Sequence, residues 1–132
     1  MLNMEISKLN ETDLSQLTDL YYDCFKDDHY YIQYYGKENI KNTICNHFRN
    51  IFLFLLQQGM CYGIKYNNKL IAFILCFDYN YIKQTNSAGF YSIFDCISED
   101  TLLYKKEIHD KLDKNKQYLY EVAIGVKPEY RR

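Results

Sequence analysis

Glu121 is the only carboxylate in an apolar run near the end of the 132-residue sequence, Tyr118 to Val126. If this strand is buried, Glu121 loses much of its hydration, and a desolvated carboxylate takes up a proton more readily, as a catalytic base near neutral pH must. Because a slip of one residue reverses the face of a strand residue, Tyr120 or Val122 is an alternative for the side chain that faces a cleft. The structural alternative for Glu121 is a sheet-edge carboxylate paired with a lysine.

A second group of residues combines acidic and aromatic side chains in the connection between two predicted helices. Its members are Asp27, Asp28, Tyr30 and Tyr31, with His29, Tyr34 and Tyr35 beside them. Carboxylates attract a cationic amine by charge, and aromatic rings attract it through cation-π interactions. The residue types therefore suit the binding of a cationic amine, and the alternative is a solvent-exposed turn whose rings lie on the core.

Hydrophobic periodicity predicts the first elements that would position these residues. Met4 to Leu9 alternate between apolar and polar, which is typical of a half-buried strand. A helix capped by Thr12 and beginning at Asp13 is expected next, because apolar side chains then recur on one face. A second amphipathic helix is predicted from about Glu38, and Gly59 is well placed to end it.

Two apolar runs then flank Asn67-Asn68, a pair that tolerates left-handed backbone geometry, so residues 61–66 and 69–78 are predicted to form a hairpin. The run from Leu70 to Phe77 is apolar at nearly every position, which is typical of a central strand covered on both faces. Residues 80–117 are expected to be an insertion, with a loop up to Gly89 and a helix that begins within residues 98–101. The last strand ends at Pro128, which lacks a backbone N–H donor.

Length predicts one domain spanning residues 1–132, and the order of the predicted strands and helices is that of an α+β fold. The chain has a net charge of -1 and no basic stripe, which argues against nucleic acid as a partner. The dense apolar run, Ile51 to Leu56, is far shorter than the roughly 20 residues that span a bilayer. Met1 to Asn10 has no basic start and no long apolar stretch, which argues against a secretory signal. We expect a soluble cytoplasmic protein that does not enter a membrane.

The five cysteines form no Cys-x-x-Cys pair, and an odd number cannot pair completely within one chain; they are Cys24, Cys45, Cys61, Cys76 and Cys96. The three histidines lie in separate segments, without a His or Cys at the spacing of a metal site. We therefore expect reduced thiols and no metal ion.

The end of the sequence resembles a family motif. Val126-Lys-Pro128-Glu-Tyr-Arg131 matches the first part of Val-x-Pro-x-x-(Arg/Gln)-x-x-Gly-x-(Gly/Ala), which GNAT superfamily N-acetyltransferases carry after an apolar strand. The hairpin strand Leu70-Ile-Ala-Phe-Ile is similar to another family passage, with Ala72 where the family often has glycine. The order strand, two helices, hairpin, helical insertion, strand is similar to the first half of the GNAT fold, with a mostly antiparallel sheet and helices packed on it.

The resemblance implies roles for the matching residues. The backbone at Gly125 and Val126 would face the pantetheine arm of acetyl-CoA, and an N–H there would polarise the thioester carbonyl. Arg131 and Arg132 would begin the pyrophosphate-binding loop, Glu121 would be the base, and Asp27, Asp28, Tyr30 and Tyr31 would line the acceptor pocket. The acceptor would be an amine-bearing small molecule, a peptide N-terminus or a lysine.

The sequence ends before the glycines of the motif, which in the family open the helix that binds the pyrophosphate. We therefore interpret the chain as the N-terminal part of an acetyltransferase that is inactive alone. A second hypothesis is a non-catalytic binding or assembly module that pairs the edge of its last strand with a second copy or with another chain. A third is a small-molecule sensor with an aromatic pocket.

Overall fold

The computed structural model describes residues 3–80, 107, 108, 110–113 and 115–131. The chain divides into two compact units, one formed by Met1–Phe77 with Glu121–Arg132 and the other by Asp78–Tyr120. The first unit contains most of a four-stranded sheet and the helices that lie between the first two strands in the sequence. The assignment of the whole chain to one domain stays a prediction.

The strands are β1 (Met4–Lys8), β2 (Tyr62–Tyr66), β3 (Lys69–Asp78) and β4 (Leu119–Val126). They lie in the order β1-β2-β3-β4 in an antiparallel sheet, which confirms the predicted α+β class. This order places β4 at one edge of the sheet within the described part of the chain.

The β2–β3 hairpin has the predicted turn. Asn67 and Asn68 have φ angles of 49° and 65°, the left-handed geometry that a tight two-residue hairpin requires. The pairs Ile64↔Ala72 and Lys65↔Leu70 leave Ile71 without a partner on β2, so β3 is bulged there. The Ile71 carbonyl instead accepts a hydrogen bond from the Lys127 N–H, 2.7 Å away, just beyond β4.

The first helix begins differently from the prediction. A short 3₁₀ turn (Glu11–Asp13) precedes α1 (Leu14–Phe25), and Asn10, not Thr12, is the cap. The Asn10 side chain accepts from the Thr12 N–H at 2.9 Å, while Asp13 accepts from the Asn10 N–H at 3.0 Å. This reciprocal capping box satisfies two N–H groups, which Thr12 from within the turn could not do.

The connection after α1 contains a helix that the sequence did not predict, α2 (His29–Tyr35). The helical run that follows consists of α3 (Ile40–Asn42), a π-helical segment (Thr43–Phe48) and α4 (Arg49–Gln58). Gly59 ends α4 with a φ of 79°, as predicted from its position.

Aromatic and aliphatic side chains from α1 and α4 pack on one face of the sheet. The ring of Tyr21 on α1 lies 4.8 Å from Phe52 on α4 and 5.7 Å from Phe73 on β3, between ring centroids. β3 is buried at every residue from Leu70 to Phe77 except Ile74, which is half-buried. The prediction of a largely buried β3 is thus confirmed, and Ile74 marks its more open face.

The second unit has local contacts of its own. The Tyr79 N–H donates to the Tyr118 carbonyl at 3.0 Å, and the amide of Asn80 donates to the Lys116 carbonyl. Most of the predicted insertion helix lies outside the described residues. The residues of this segment that are described as helical are 107, 108 and 110. Across the described ranges, no helix has both the length and the apolar character needed to cross a membrane.

Candidate cofactor and acceptor site

Glu121 projects from β4 into solvent. The burial predicted for this carboxylate is wrong, because β4 lies at the sheet edge and its outward side chains are exposed within the described structure. Glu121 is close enough to Cys76 for its charge to contribute to the raised pKa of that thiol, although burial of Cys76 is the larger cause. A catalytic role for Glu121 stays a prediction.

Tyr120, the other predicted catalytic residue, belongs to the second unit and is half-buried. Its ring stacks on that of Tyr79 with centroids 6.4 Å apart and planes at 17°. Burial raises the pKa of the Tyr120 phenol, and the neighbouring Tyr79 adds to the shift. Tyr120 therefore keeps its proton at neutral pH.

The strand is irregular between these residues and its end. Val122 and Ala123 are consecutive and both half-buried, whereas side chains of a regular strand alternate between faces. Beyond them Gly125 is buried while Ile124 and Val126 are exposed, so the alternation has shifted by one residue. A β-bulge produces such a shift and turns the backbone locally.

Gly125 is packed against the chain itself. A Cβ at this position would lie 2.6 Å from the ring of Phe73 and 3.0 Å from the sulfur of Cys24. Such distances are far below van der Waals contact, so only glycine fits here without movement of these side chains. The missing side chain at Gly125 therefore makes room for Phe73 and Cys24 of the chain itself.

The carbonyl oxygen of Val126 accepts two side-chain hydrogen bonds. Arg131 donates from Nε at 2.7 Å, and the Cys24 thiol donates at 3.4 Å. Cys24 is the last but one residue of α1, so the end of this helix is joined to the end of β4. Burial raises the pKa of the Cys24 thiol, and the nearby Arg131 opposes that rise.

A 3₁₀ turn (Pro128–Tyr130) follows β4 and leads to Arg131. Two backbone hydrogen bonds hold it, from Tyr130 N–H to the Lys127 carbonyl at 2.9 Å and from Arg131 N–H to the Pro128 carbonyl at 3.2 Å. Arg132, the other predicted pyrophosphate residue, lies outside the described residues.

An apolar groove of about 310 Å³ crosses the face of the sheet opposite Tyr21. It is lined by residues of all four strands: Ile6, Tyr62, Gly63, Ile64, Ala72, Phe73, Ile74, Ile124, Gly125 and Val126. Directly paired residues of antiparallel strands share a face, which places Ile6, Ile64 and Ala72 side by side. The backbone at Gly125 and Val126 thus borders an open apolar surface that could contact an alkyl chain.

The predicted acceptor residues lie at the start of α2. Asp28 is the N-cap of this helix, and its Oδ1 accepts from the N–H groups of Tyr30 and Tyr31 at 2.9 and 3.4 Å. Asp28 therefore has a structural role that the sequence analysis did not assign. Asp27 and Tyr30 are exposed, whereas Tyr31 is half-buried with its hydroxyl 2.5 Å from that of Tyr21.

Rings connect the acceptor residues with the end of β4. Tyr21, which hydrogen-bonds Tyr31, stacks on Phe73, and Phe73 fills the space beside Gly125. Sequence reasoning missed Phe73 and Cys24 as parts of this arrangement. Cys24 was predicted only to be a reduced thiol, and nothing in its sequence context indicates a contact with Val126.

No three or more His, Cys, Asp or Glu side chains cluster as metal ligands among the residues that the structure describes.

No protein-family model matches the sequence, and no curated protein is significantly similar to it. Solved structures are similar in fold. They include a polyamine N-acetyltransferase of Drosophila melanogaster that forms N-acetylagmatine (TM-score 0.65, 10% identity), with 98% of this chain and 63% of that one covered. A putative arylalkylamine N-acetyltransferase 7 of the mosquito Aedes aegypti has a TM-score of 0.60 and 19% identity, with 97% and 55% covered.

The C-terminal condensation domain of Ebony, solved with beta-alanyl-dopamine, is also similar (TM-score 0.65, 14% identity), with 99% of this chain and 62% of that one covered. The chain spans less than two thirds of each of these structures. At such identities the similarity concerns the fold, and it covers nearly every residue of this chain. Over the part that it spans, the chain therefore has the fold of the GNAT-type N-acetyltransferases.

Proposed function

We propose that this chain is part of an N-acetyltransferase that transfers an acetyl group from acetyl-CoA to an amine. The observation that carries the proposal is the constrained end of β4, where Gly125, Val126 and the turn to Arg131 carry the motif that the sequence shares with GNAT enzymes. The fold similarity to proteins whose names include polyamine and arylalkylamine N-acetyltransferases supports it. Acetyl-CoA is the implied cosubstrate.

The residues suit this cosubstrate in chemical type. The groove beside Gly125 and Val126 is apolar and matches the alkyl part of a pantetheine arm. Arg131 and Arg132 supply positive charge where the resemblance implies a diphosphate.

The proposed reaction joins the amine nitrogen to the acetyl carbonyl carbon and breaks the bond from that carbon to sulfur. The amine loses one proton and the CoA thiolate gains one. In this proposal Glu121, exposed on β4, accepts the proton from the amine, directly or through water. The exposed side chains of Asp27 and Tyr30 bind the cationic amine of the acceptor, Asp27 by its charge and Tyr30 by the face of its ring. The ring of Tyr31 packs beside that of Tyr30.

Calorimetric titration with acetyl-CoA tests the proposal. The titration is made on the 132-residue chain and on a chain carrying any further residues that its gene encodes. We expect binding, strongest in the longer form, and acetylation of a polyamine or an arylalkylamine by that form. No heat of binding in either form would overturn the proposal.

A catalytic variant then tests the base. Glu121→Gln keeps the size of the side chain but removes the carboxylate, so kcat should fall by about 100-fold or more while acetyl-CoA still binds. Glu121→Asp, which retains a carboxylate on a shorter side chain, is the matched control and should lose less. Equal activities of Glu121→Gln and the wild type would exclude Glu121 as the base.

One observation favours an alternative, an assembly module without catalysis. Ile124 and Val126 on the edge strand β4 are 59% and 36% exposed, and an exposed apolar edge can pair with a second copy of the chain. Light scattering during gel filtration would show a dimer that the charged variant Ile124→Lys converts to a monomer. A wild-type chain that stays monomeric at high concentration would reject this alternative.

A further inference from the structure

The hydrogen bond from Arg131 to Val126 points to an unassigned role for this arginine. The Nε of Arg131 lies 2.7 Å from the Val126 carbonyl oxygen, five residues earlier in the chain. A bond over this separation closes a ring around the turn Pro128–Tyr130. The side chain thus binds the strand from which the turn leaves.

The same stretch of backbone is fastened on both sides. The Lys127 N–H donates to the Ile71 carbonyl of the β3 bulge at 2.7 Å, and the Cys24 thiol of α1 donates to the Val126 carbonyl at 3.4 Å. Gly125, the preceding residue, has no space for a Cβ beside Phe73 and Cys24. The path of the chain from Gly125 to Arg131 is therefore determined by contacts from β3, α1 and the Arg131 side chain.

We propose that Arg131 is a positioning residue: its Nε–H, together with the Cys24 thiol, holds the Val126 carbonyl and so fixes the strand end and turn that bind acetyl-CoA. The inference rests on the proposed function. It differs from the role implied by the family resemblance, in which Arg131 begins the loop at the pyrophosphate and its charge would contact phosphate. In the positioning role the N–H donor matters more than the positive charge.

Two substitutions separate the donor from the charge. Glutamine places its Nε2 the same number of bonds from Cα as the arginine Nε, so Arg131→Gln retains an N–H donor at this position and removes the charge. Methionine places a methyl carbon there, so Arg131→Met removes both the donor and the charge while matching glutamine in side-chain length, and both variants shorten the arginine side chain equally. Acetyl-CoA is titrated into each variant of the acetyl-CoA-binding form of the protein.

The positioning role predicts that Arg131→Met binds acetyl-CoA about 5- to 10-fold more weakly than Arg131→Gln, since a net hydrogen bond of ordinary strength changes a dissociation constant by this factor. A contact between the charge and the phosphates predicts equal losses in the two variants. Equal dissociation constants in Arg131→Gln and Arg131→Met would overturn the inference. A wild-type protein that does not bind acetyl-CoA would overturn the proposed function instead, so the two failures are distinguishable.

Alkylation of Cys24 provides a readout that a general loss of folding would not imitate. Arg131 opposes the rise in the pKa of the Cys24 thiol, so Arg131→Met should raise this pKa further and slow the reaction of Cys24 with iodoacetamide at mildly alkaline pH. Peptide mapping identifies the modified cysteine, and partial unfolding would accelerate the reaction. If the pH dependence of Cys24 alkylation is the same in Arg131→Met and the wild type, the two side chains do not interact, and the inference is overturned.

Discussion

Gly125 is the residue at which the packing of the proposed site is tightest. A Cβ there would approach the Phe73 ring to 2.6 Å, and Gly125 is not among the glycines with a positive φ, so alanine would add steric overlap but no backbone strain. We expect Gly125→Ala to lower the free energy of unfolding by about 1 to 3 kcal/mol, measured by urea denaturation. Phe73→Leu, which removes the ring, is the matched second change. The loss of unfolding free energy in the double variant should be smaller than the sum of the losses in the two single variants. Strict additivity would contradict a steric overlap between the new Cβ and the Phe73 ring.

Cys61 gives the stability of the chain a pH dependence. This thiol is fully buried, donates to the Leu55 carbonyl at 3.5 Å, and has a pKa raised by burial from 9.0 to about 11. A group with a raised folded-state pKa contributes its stability below the unfolded value, so the contribution is complete below pH 9 and is lost as the pH rises towards 11.

The measurement is the free energy of unfolding of the wild type and Cys61→Ala across this alkaline range. The wild type should lose about 2 to 3 kcal/mol more than the variant between the two pKa values, because one pKa unit corresponds to about 1.4 kcal/mol. The alanine variant is the control for tyrosines and lysines that titrate in the same range. Parallel pH profiles would contradict the prediction.

At the scale of elements, Asp13 joins the first helix to the hairpin. It is 4% exposed, accepts from the Asn10 N–H at 3.0 Å, and pairs with the Lys65 ammonium at 2.7 Å. Asp13→Ala removes half of the capping box and leaves Lys65 without this partner, so the free energy of unfolding should fall by about 2 kcal/mol or more.

Lys65→Met distinguishes the two contributions, because it removes the ion pair and leaves the capping box intact. In urea denaturation it should cost at least as much as Asp13→Ala, because it leaves the nearly buried Asp13 carboxylate without its cation, and a much smaller loss would show that the cap accounts for most of the Asp13→Ala effect. Far-ultraviolet circular dichroism of Asp13→Ala checks that α1 still forms.

The elements that the sequence predicted well depend on local chemistry. The Asn67-Asn68 turn needs residues that accept a positive φ, and Gly59 ends a helix for the same reason, so both are visible in the residue types. The cap was predicted at Thr12, whereas Asn10 holds that position, because residue type alone does not reveal that a 3₁₀ turn precedes α1. The helix α2 was missed because its seven residues are mostly tyrosines, which have weak helix propensity.

The candidate site was less predictable, because its contacts join distant parts of the chain. Cys24 and Val126 are 102 positions apart, and neither residue type indicates the other. The exposure of Glu121 was predicted wrongly because an apolar strand sequence does not reveal whether that strand lies at the centre or at the edge of a sheet. The motif from Val126 to Arg131 indicated the position of the cofactor site, but it did not indicate that Arg131 donates a hydrogen bond to the Val126 carbonyl.

At the scale of the whole molecule, the proposed functions differ in what covers the apolar face of the sheet. Ile6 is 81% exposed on this face and Ile124 is 59% exposed, beside a groove of about 310 Å³. Solved proteins of this fold extend beyond the part that the chain covers. An exposed apolar face of this size is typical of a surface that binds a ligand, further polypeptide or a second copy of the chain. Any of these partners would cover the face.

Ile6→Lys reports whether the face is covered in solution. With Ile6 exposed, the substitution should change the free energy of unfolding by no more than about 0.5 kcal/mol, whereas the same change at a covered apolar contact costs several times more. Leu17→Ala, at a core side chain with 0% exposure, should cost about 2 to 5 kcal/mol and calibrates the measurement. If Ile6→Lys lowers the free energy of unfolding by more than 1 kcal/mol and this loss grows with protein concentration, a second copy covers the face. That result would favour the assembly module over the acetyltransferase. If the loss is small at every concentration, the face is free in the isolated chain and accessible to a cofactor or to further residues of the fold.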